Sequence, residues 1–108
     1  MSRLEQILQD SIGKAEPVKC KVLAALVEEA EGMIKDASEE SVRDVVLIAA
    51  AQRVEHYEIV AYGALGHFAQ ILGESTQARL LDQTIKEEGH ADHLLTDIAN
   101  CGNVKKAA

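Results

Sequence analysis

From about residue 40 to residue 72 the chain carries a helical pattern with no proline to interrupt it. At 1.5 Å per residue this predicts a single helix roughly 50 Å long, and the rest of the chain is organised around it. On a 100° wheel its apolar residues gather on one side: Leu47, Ala51, Val54, Ala61, Tyr62, Leu65 and Leu72. The other side carries Gln52, Arg53, His56, His67 and Gln70. Glu58 lands near the centre of the apolar stripe and Glu55 at its edge. A carboxylate in mid-stripe is costly to bury unless something pairs with it. A second helix near the C-terminus repeats the anomaly at Glu87 and Glu88. Acids facing inward at matching height on two helices suggest one shared cation.

Helix formers dominate the remaining composition, Val/Ile/Thr alternation is absent, and aromatics make up 3% of residues. The fold class is therefore all-α. At 108 residues the chain is a single domain with a modest core. A net charge of −7 argues against nucleic acid, whose phosphates need a basic face, and against an anionic membrane surface. No apolar run approaches the roughly 20 residues of a membrane span, and the start, Met1-Ser2-Arg3-Leu4-Glu5, does not read as a signal peptide. The expected location is the cytoplasm. Cys20 and Cys101 lie far apart and fit no metal-binding spacing, so both read as reduced thiols.

In chain order, Ser2 and Glu5 have capping-box spacing ahead of an apolar stripe of Leu4, Ile7, Leu8 and Ile12, and Gly13 ends that helix. Pro17 suits the first turn of a second helix, residues 18–35. Its inward side is Val22, Leu23, Leu26, Val27, Ala30 and Met33, and Glu28, Glu29 and Glu31 form its solvated side. Ser38 or Ser41 is expected to cap the long helix. Within it, Gly63 and Gly66 would permit close packing or a slight kink, and Gly73 terminates it. Ser75 or Thr76 would cap the fourth helix, 76–99, whose stripe holds Leu80, Leu81, Thr84, Ala91, Leu95 and Ile98. Glu88 falls inside this stripe, between Glu87 and Asp92 on its margins. Residues 100–108 are expected to fray.

Carboxylates and imidazoles projecting inward from neighbouring helices hold iron or manganese in di-metal bundles. Two helices each give one Glu and two others each give a Glu-x-x-His pair, because positions i and i+3 share a face. Glu87 and His90 have that spacing, in the string EEGHADH, and Glu58 or Glu55 would be the lone carboxylate. A bland alternative stands beside this one. Glu55 and Glu58 would pair with Arg43 or Arg53, while His90 and His93 lie on the surface. A helix rotation of about 40° exchanges Glu55 for Glu58 and Glu87 for Glu88, so the wheel leaves each pair unranked. Tyr57 and Tyr62 read as packing residues, with Tyr62 close enough on the wheel to hydrogen-bond a ligand. No loop supports a nucleophilic hydrolase.

The strings CKVLAALVEEAEGMI, VRDVVLIAAAQRVEHYEIVAYGALGHFAQILGE and LLDQTIKEEGHADHLLTDIA resemble the YciE/YciF family of bacterial ferritin-like proteins. The resemblance covers the chain from Cys20 onward, and less tightly the residues before it. It implies a ferritin-like bundle with a di-metal site and a link to bacterial stress response. By matching position it carries Glu55, Glu58 and Glu88 into that site, with Asp92 one turn on and Glu87 less tightly matched. The EEGH string is also similar to the last-helix motif of bacterioferritins, which raises Glu87 and His90 as ligands. A full family member carries a further helix pair ahead of the segment that matches this chain. The resemblance therefore implies a half-bundle, with two long helices and two shorter N-terminal ones, whose apolar face a homodimer or higher homo-oligomer would complete.

Two functions of different class follow. In one, the protein is a ferritin-like, iron- or manganese-binding carboxylate protein handling iron, oxygen or peroxide. In the other, it is a non-catalytic helical structural or interaction module whose inward acids are satisfied by arginine or water.

Overall fold

The computed structural model describes residues 2–101. Among them every regular element is helical: α1 (Arg3–Ile12), α2 (Lys21–Asp36), α3 (Glu40–Ile71) and α4 (Ser75–Ala99). The first helix starts as its sequence requires. Ser2 accepts from the Glu5 backbone N–H at 3.2 Å, and the Glu5 carboxylate accepts from the Ser2 N–H at 2.8 Å. The Ser2 contacts also hold the Glu5 carboxyl below the ordinary glutamate range. Gly13 ends the helix at φ 77°, in the left-handed region where a side chain is disfavoured.

The second helix starts later than its apolar pattern suggests. Residues 14–20 form an irregular link, so Pro17 lies outside the helix and Cys20 is the N-cap. Neither long helix uses the expected serine cap. Glu39 and Glu74 are the N-caps, and neither makes a side-chain capping bond. The exposed N-terminal N–H groups can be met by water instead, which removes the selection for a serine there.

The long helix and α4 form a hairpin closed by Gly73 at φ 76°, and this pairing is the main contact of the chain. Across it, Gln52 donates to Thr96 Oγ1 at 2.9 Å. The second helix packs on α3, with Arg53 paired to Glu29 at 3.3 Å, and α1 packs on α4. Arg43 donates to the Ala37 carbonyl at 2.9 Å and so closes the end of α2. Gly66 faces Leu81, yet a Cβ there would meet the Leu81 Cβ at an ordinary 3.9 Å, and Gly63 has open space. Neither glycine is required for close approach.

The buried core is small. Among the described residues only Ala37, Ala78, Leu80 and Leu81 are fully buried. Val22 and Val27, expected to face inward, are about half exposed, because α2 packs mainly on α3 and its covered side is Leu23, Ala24, Leu26, Ala30, Met33 and Ile34. The apolar stripe expected for α3 is covered in part, with Ala51, Val54, Ala61 and Tyr62 half-buried. Leu47, Leu65 and Leu72 lie on it and are all exposed. The fraying expected of 100–108 falls, beyond Cys101, outside the described residues. No helix among the described residues is long and apolar enough to cross a membrane.

Candidate functional site

The α3–α4 hairpin brings three acids together. Glu55 and Glu58 stand one turn apart on α3, and Glu88 approaches from α4. One carboxylate oxygen from each lies within 4.8 Å of the other two, and all three residues are half-buried. Two ionised carboxylates at that separation repel by about 3 kcal/mol at an effective dielectric constant of about 20. Among the described residues no basic side chain forms an ion pair with any of the three. Arg43 and Arg53, the expected partners, are engaged with the Ala37 carbonyl and Glu29.

The charge is relieved in part by a proton. Hydrogen bonding to Glu55, loss of hydration, and the neighbouring Glu58 push Glu88 up to about 8, from an ordinary 4.5. At neutral pH Glu88 is therefore a carboxylic acid rather than a carboxylate. Glu55 Oε2 is buried, and apart from the acid of Glu88 no hydrogen-bond donor is in place for it. A buried acceptor so placed beside like charge is a place where a cation or water would be favoured. Tyr62 sits next to the cluster, its phenol pushed up by burial and by the charges of Glu58 and Glu88, so it stays protonated.

The other two candidate ligands lie elsewhere. Glu87 points to the exposed flank of α4 and forms a two-pronged ion pair with Arg3 of α1, which also donates to Thr84 Oγ1 at 2.9 Å. Arg3 holds the Glu87 carboxyl below its usual range. His90 is exposed and outside the cluster. The cause is helix rotation, with Glu88 facing α3 and Glu87 and His90 turned off that face. Asp92, one turn on from Glu88, is half-buried. His56 Nε2 lies 3.0 Å from its Oδ1, at ion-pair distance but without hydrogen-bond geometry, so that oxygen also lacks a hydrogen bond.

A second contact had no signal in the sequence. Cys20 Sγ lies 3.5 Å from Tyr57 Oη, joining the N-cap of α2 to the middle of α3. The Tyr57 hydroxyl, and then the Leu23 and Val22 backbone N–H groups at the helix start, lower the Cys20 thiol from its ordinary value. Cys20 and Cys101 are both free thiols.

The family described as "Domain of unknown function (DUF892)" matches residues 1–108. Protein YciF of Escherichia coli K12 is 43% identical over 109 residues, covering all of this chain and 65% of that protein. The crystal structure of the E. coli stress protein YciF superposes with a TM-score of 0.86 at 44% identity, over 96% of this chain and 65% of that one. A Rhodopseudomonas palustris protein described as YcfI, a proposed structural protein, superposes with a TM-score of 0.83 at 34% identity, over 87% of this chain and 60% of that one. The chain thus spans slightly under two thirds of the length of the relatives it matches.

Proposed function

The chain belongs to the DUF892 family of YciF-like proteins, and on that premise we propose that it is a cation-binding helical module of a bacterial stress protein. Glu55, Glu58 and Glu88 would hold the ion. The observation that carries this reading is the buried Glu55 Oε2, with no donor in place but the acid of Glu88, beside two further acids and no neutralising base. The donors are all oxygens, which suits manganese better than zinc, and admits iron with water completing its shell. Three donors fit one ion per chain; the di-metal, ferritin-like form would need further ligands from outside this cluster. When bound, such an ion supplies a Lewis acid and, for iron or manganese, a redox-active centre for oxygen or peroxide handling.

The chain's own residues then have defined parts. Glu58 and Glu55 would offer charge from one helix face, and Glu88 would serve as the third ligand once deprotonated. Tyr62 stays protonated beside them.

A structural, non-catalytic reading is favoured by one specific feature: protonated Glu88 can donate to its neighbours and relieve the cluster with no ion. The R. palustris relative's description points the same way. Elemental analysis of protein purified without chelator or affinity metal separates the two. The cation reading expects iron or manganese near one atom per chain, lost in Glu58→Gln while helicity is retained. A metal-free protein that takes up neither ion on anaerobic addition supports the structural reading.

A further inference from the structure

Outside the acid cluster, one more pair of metal-type donors spans the α3–α4 hairpin. His56 of α3 and Asp92 of α4 meet across the helix contact, with Nε2 3.0 Å from Oδ1. The His56 side chain is 67% exposed and that of Asp92 23%. Asp92 Oδ1 is itself buried, and no hydrogen bond reaches it. A buried carboxylate oxygen left without a partner is costly. The polar groups around it are engaged elsewhere. Gln52, one turn before His56, donates to Thr96 Oγ1 at 2.9 Å and to the Asp92 carbonyl at 3.4 Å. Thr96 Oγ1 donates to the same carbonyl at 3.3 Å. These bonds hold the Asp92 backbone against α3, and none of them serves its carboxylate Oδ1.

The spacing of the two atoms is that of neighbouring ligands on one ion. Zinc-type ions bind imidazole nitrogen and carboxylate oxygen at about 2.1 Å. Two such donors at a right angle lie about 3.0 Å apart, and at a tetrahedral angle about 3.4 Å. The observed 3.0 Å suits a five- or six-coordinate shell. The donor chemistry also differs from that of the inner cluster. One imidazole with one carboxylate favours zinc, copper or nickel over magnesium or calcium, whereas the oxygens of Glu55, Glu58 and Glu88 favour manganese. A second His–Asp pair shows what distinguishes this one. His93 lies 3.6 Å from Asp97 on α4, but their side chains are 73% and 58% exposed, so water already meets both.

We propose that His56 and Asp92 form an outer site for one divalent ion of the zinc type, with water in the remaining positions. The exposed imidazole gives the ion access from solvent, and the buried oxygen gives it a partner that no protein group supplies. An ion held there joins α3 to α4 beside the Gln52–Thr96 bond, so it stabilises the hairpin by mass action. The site shares no donor with the acid cluster and does not depend on that cluster taking up a cation.

Nuclear magnetic resonance of isotope-labelled imidazole nitrogens in the full chain reads the site directly as Zn²⁺ is added near pH 7.5, where ligands can be deprotonated. His56 Nε2 should respond at a lower zinc concentration than any nitrogen of His67, His90 or His93. In calorimetric titration, His56→Gln and Asp92→Asn should each weaken zinc binding at least tenfold with helicity kept, and His67→Gln should leave it unchanged. The wild-type His56 signal decides the matter even if a variant folds poorly. A His56 signal that zinc does not move overturns the proposal, and so does zinc that reaches His90 or His93 first, or binding that survives both substitutions. Zinc taken up without His56 and lost in Glu58→Gln belongs to the acid cluster; that result overturns the outer site and supports the inner one. A His56 response in a protein that takes up no Mn²⁺ does the reverse.

Discussion

Replacing Glu88 by Gln isolates the proton that the acid cluster stores. The native carboxyl titrates near 8 and the unfolded one near 4.5. Between those values the native state holds a proton that the unfolded state has released. Stability therefore falls as pH rises through this window and is level below and above it. At about 1.4 kcal/mol for each tenfold in proton affinity, an isolated and fully desolvated group would lose close to 5 kcal/mol. Glu88 is partly solvated and its charge is screened and shared with Glu55 and Glu58, so the expected loss is about 2 kcal/mol. Glutamine keeps the shape and an N–H donor but cannot ionise. Urea unfolding in chelator, repeated from pH 5 to pH 9, should show a falling midpoint for the wild type and a level one for Glu88→Gln. At pH 9 the variant should be the more stable protein by about 2 kcal/mol. A wild-type midpoint that does not change with pH, or a variant with the wild-type slope, would refute the account of the cluster.

Three further substitutions test other parts of the structure. Leu81→Ala, at a residue 4% exposed in the small core between α3 and α4, should cost about 2–3 kcal/mol in urea unfolding; a cost under about 1 kcal/mol would mean the hairpin core is not where the stability lies. Gly73→Ala meets no neighbour, so its cost should be the left-handed backbone alone, about 1 kcal/mol, with Gly73→Asn milder; equal loss for both would contradict that cause. Tyr57→Phe removes the hydroxyl beside Cys20, so the thiol should titrate higher and Cys20 should react with iodoacetamide about threefold more slowly near pH 7.5. An unchanged rate would show that the helix N–H groups alone activate it.

The helices are legible because local chemistry and periodicity agree. The Ser2–Glu5 capping box and the left-handed glycines Gly13 and Gly73 mark ends that the backbone itself demands. The starts of α3 and α4 are less legible, since solvated N–H groups impose no particular residue and Glu39 and Glu74 serve without capping. Pro17 suits a first helical turn, yet it falls within an irregular link, because a fixed φ suits both.

The cluster of Glu55, Glu58 and Glu88 can be read from acids lying in apolar stripes. The α4 wheel places Glu88 more centrally than Glu87 but does not decide between them, because a helix rotation of about 40° would exchange the two. Arg3, far away in sequence, engages Glu87 once α1 lies on α4, and a wheel of α4 alone holds no trace of that contact. Periodicity also predicts that the stripe of Leu47, Leu65 and Leu72 is covered, without saying whether the cover comes from the same chain. In the structure Leu47, Leu65 and Leu72 are exposed while Ala51, Val54, Ala61 and Tyr62 of the same stripe are half-buried.

The central claim is that the three acids take up a cation in exchange for the proton on Glu88. Calorimetric titration of metal-free protein with Mn²⁺ near pH 7, repeated in buffers of different ionisation enthalpy, measures both halves of that exchange. The account predicts about one ion per chain and close to one proton released per ion, with no release in Glu88→Gln. Absence of binding, or binding that releases no proton and survives Glu58→Gln, would contradict it.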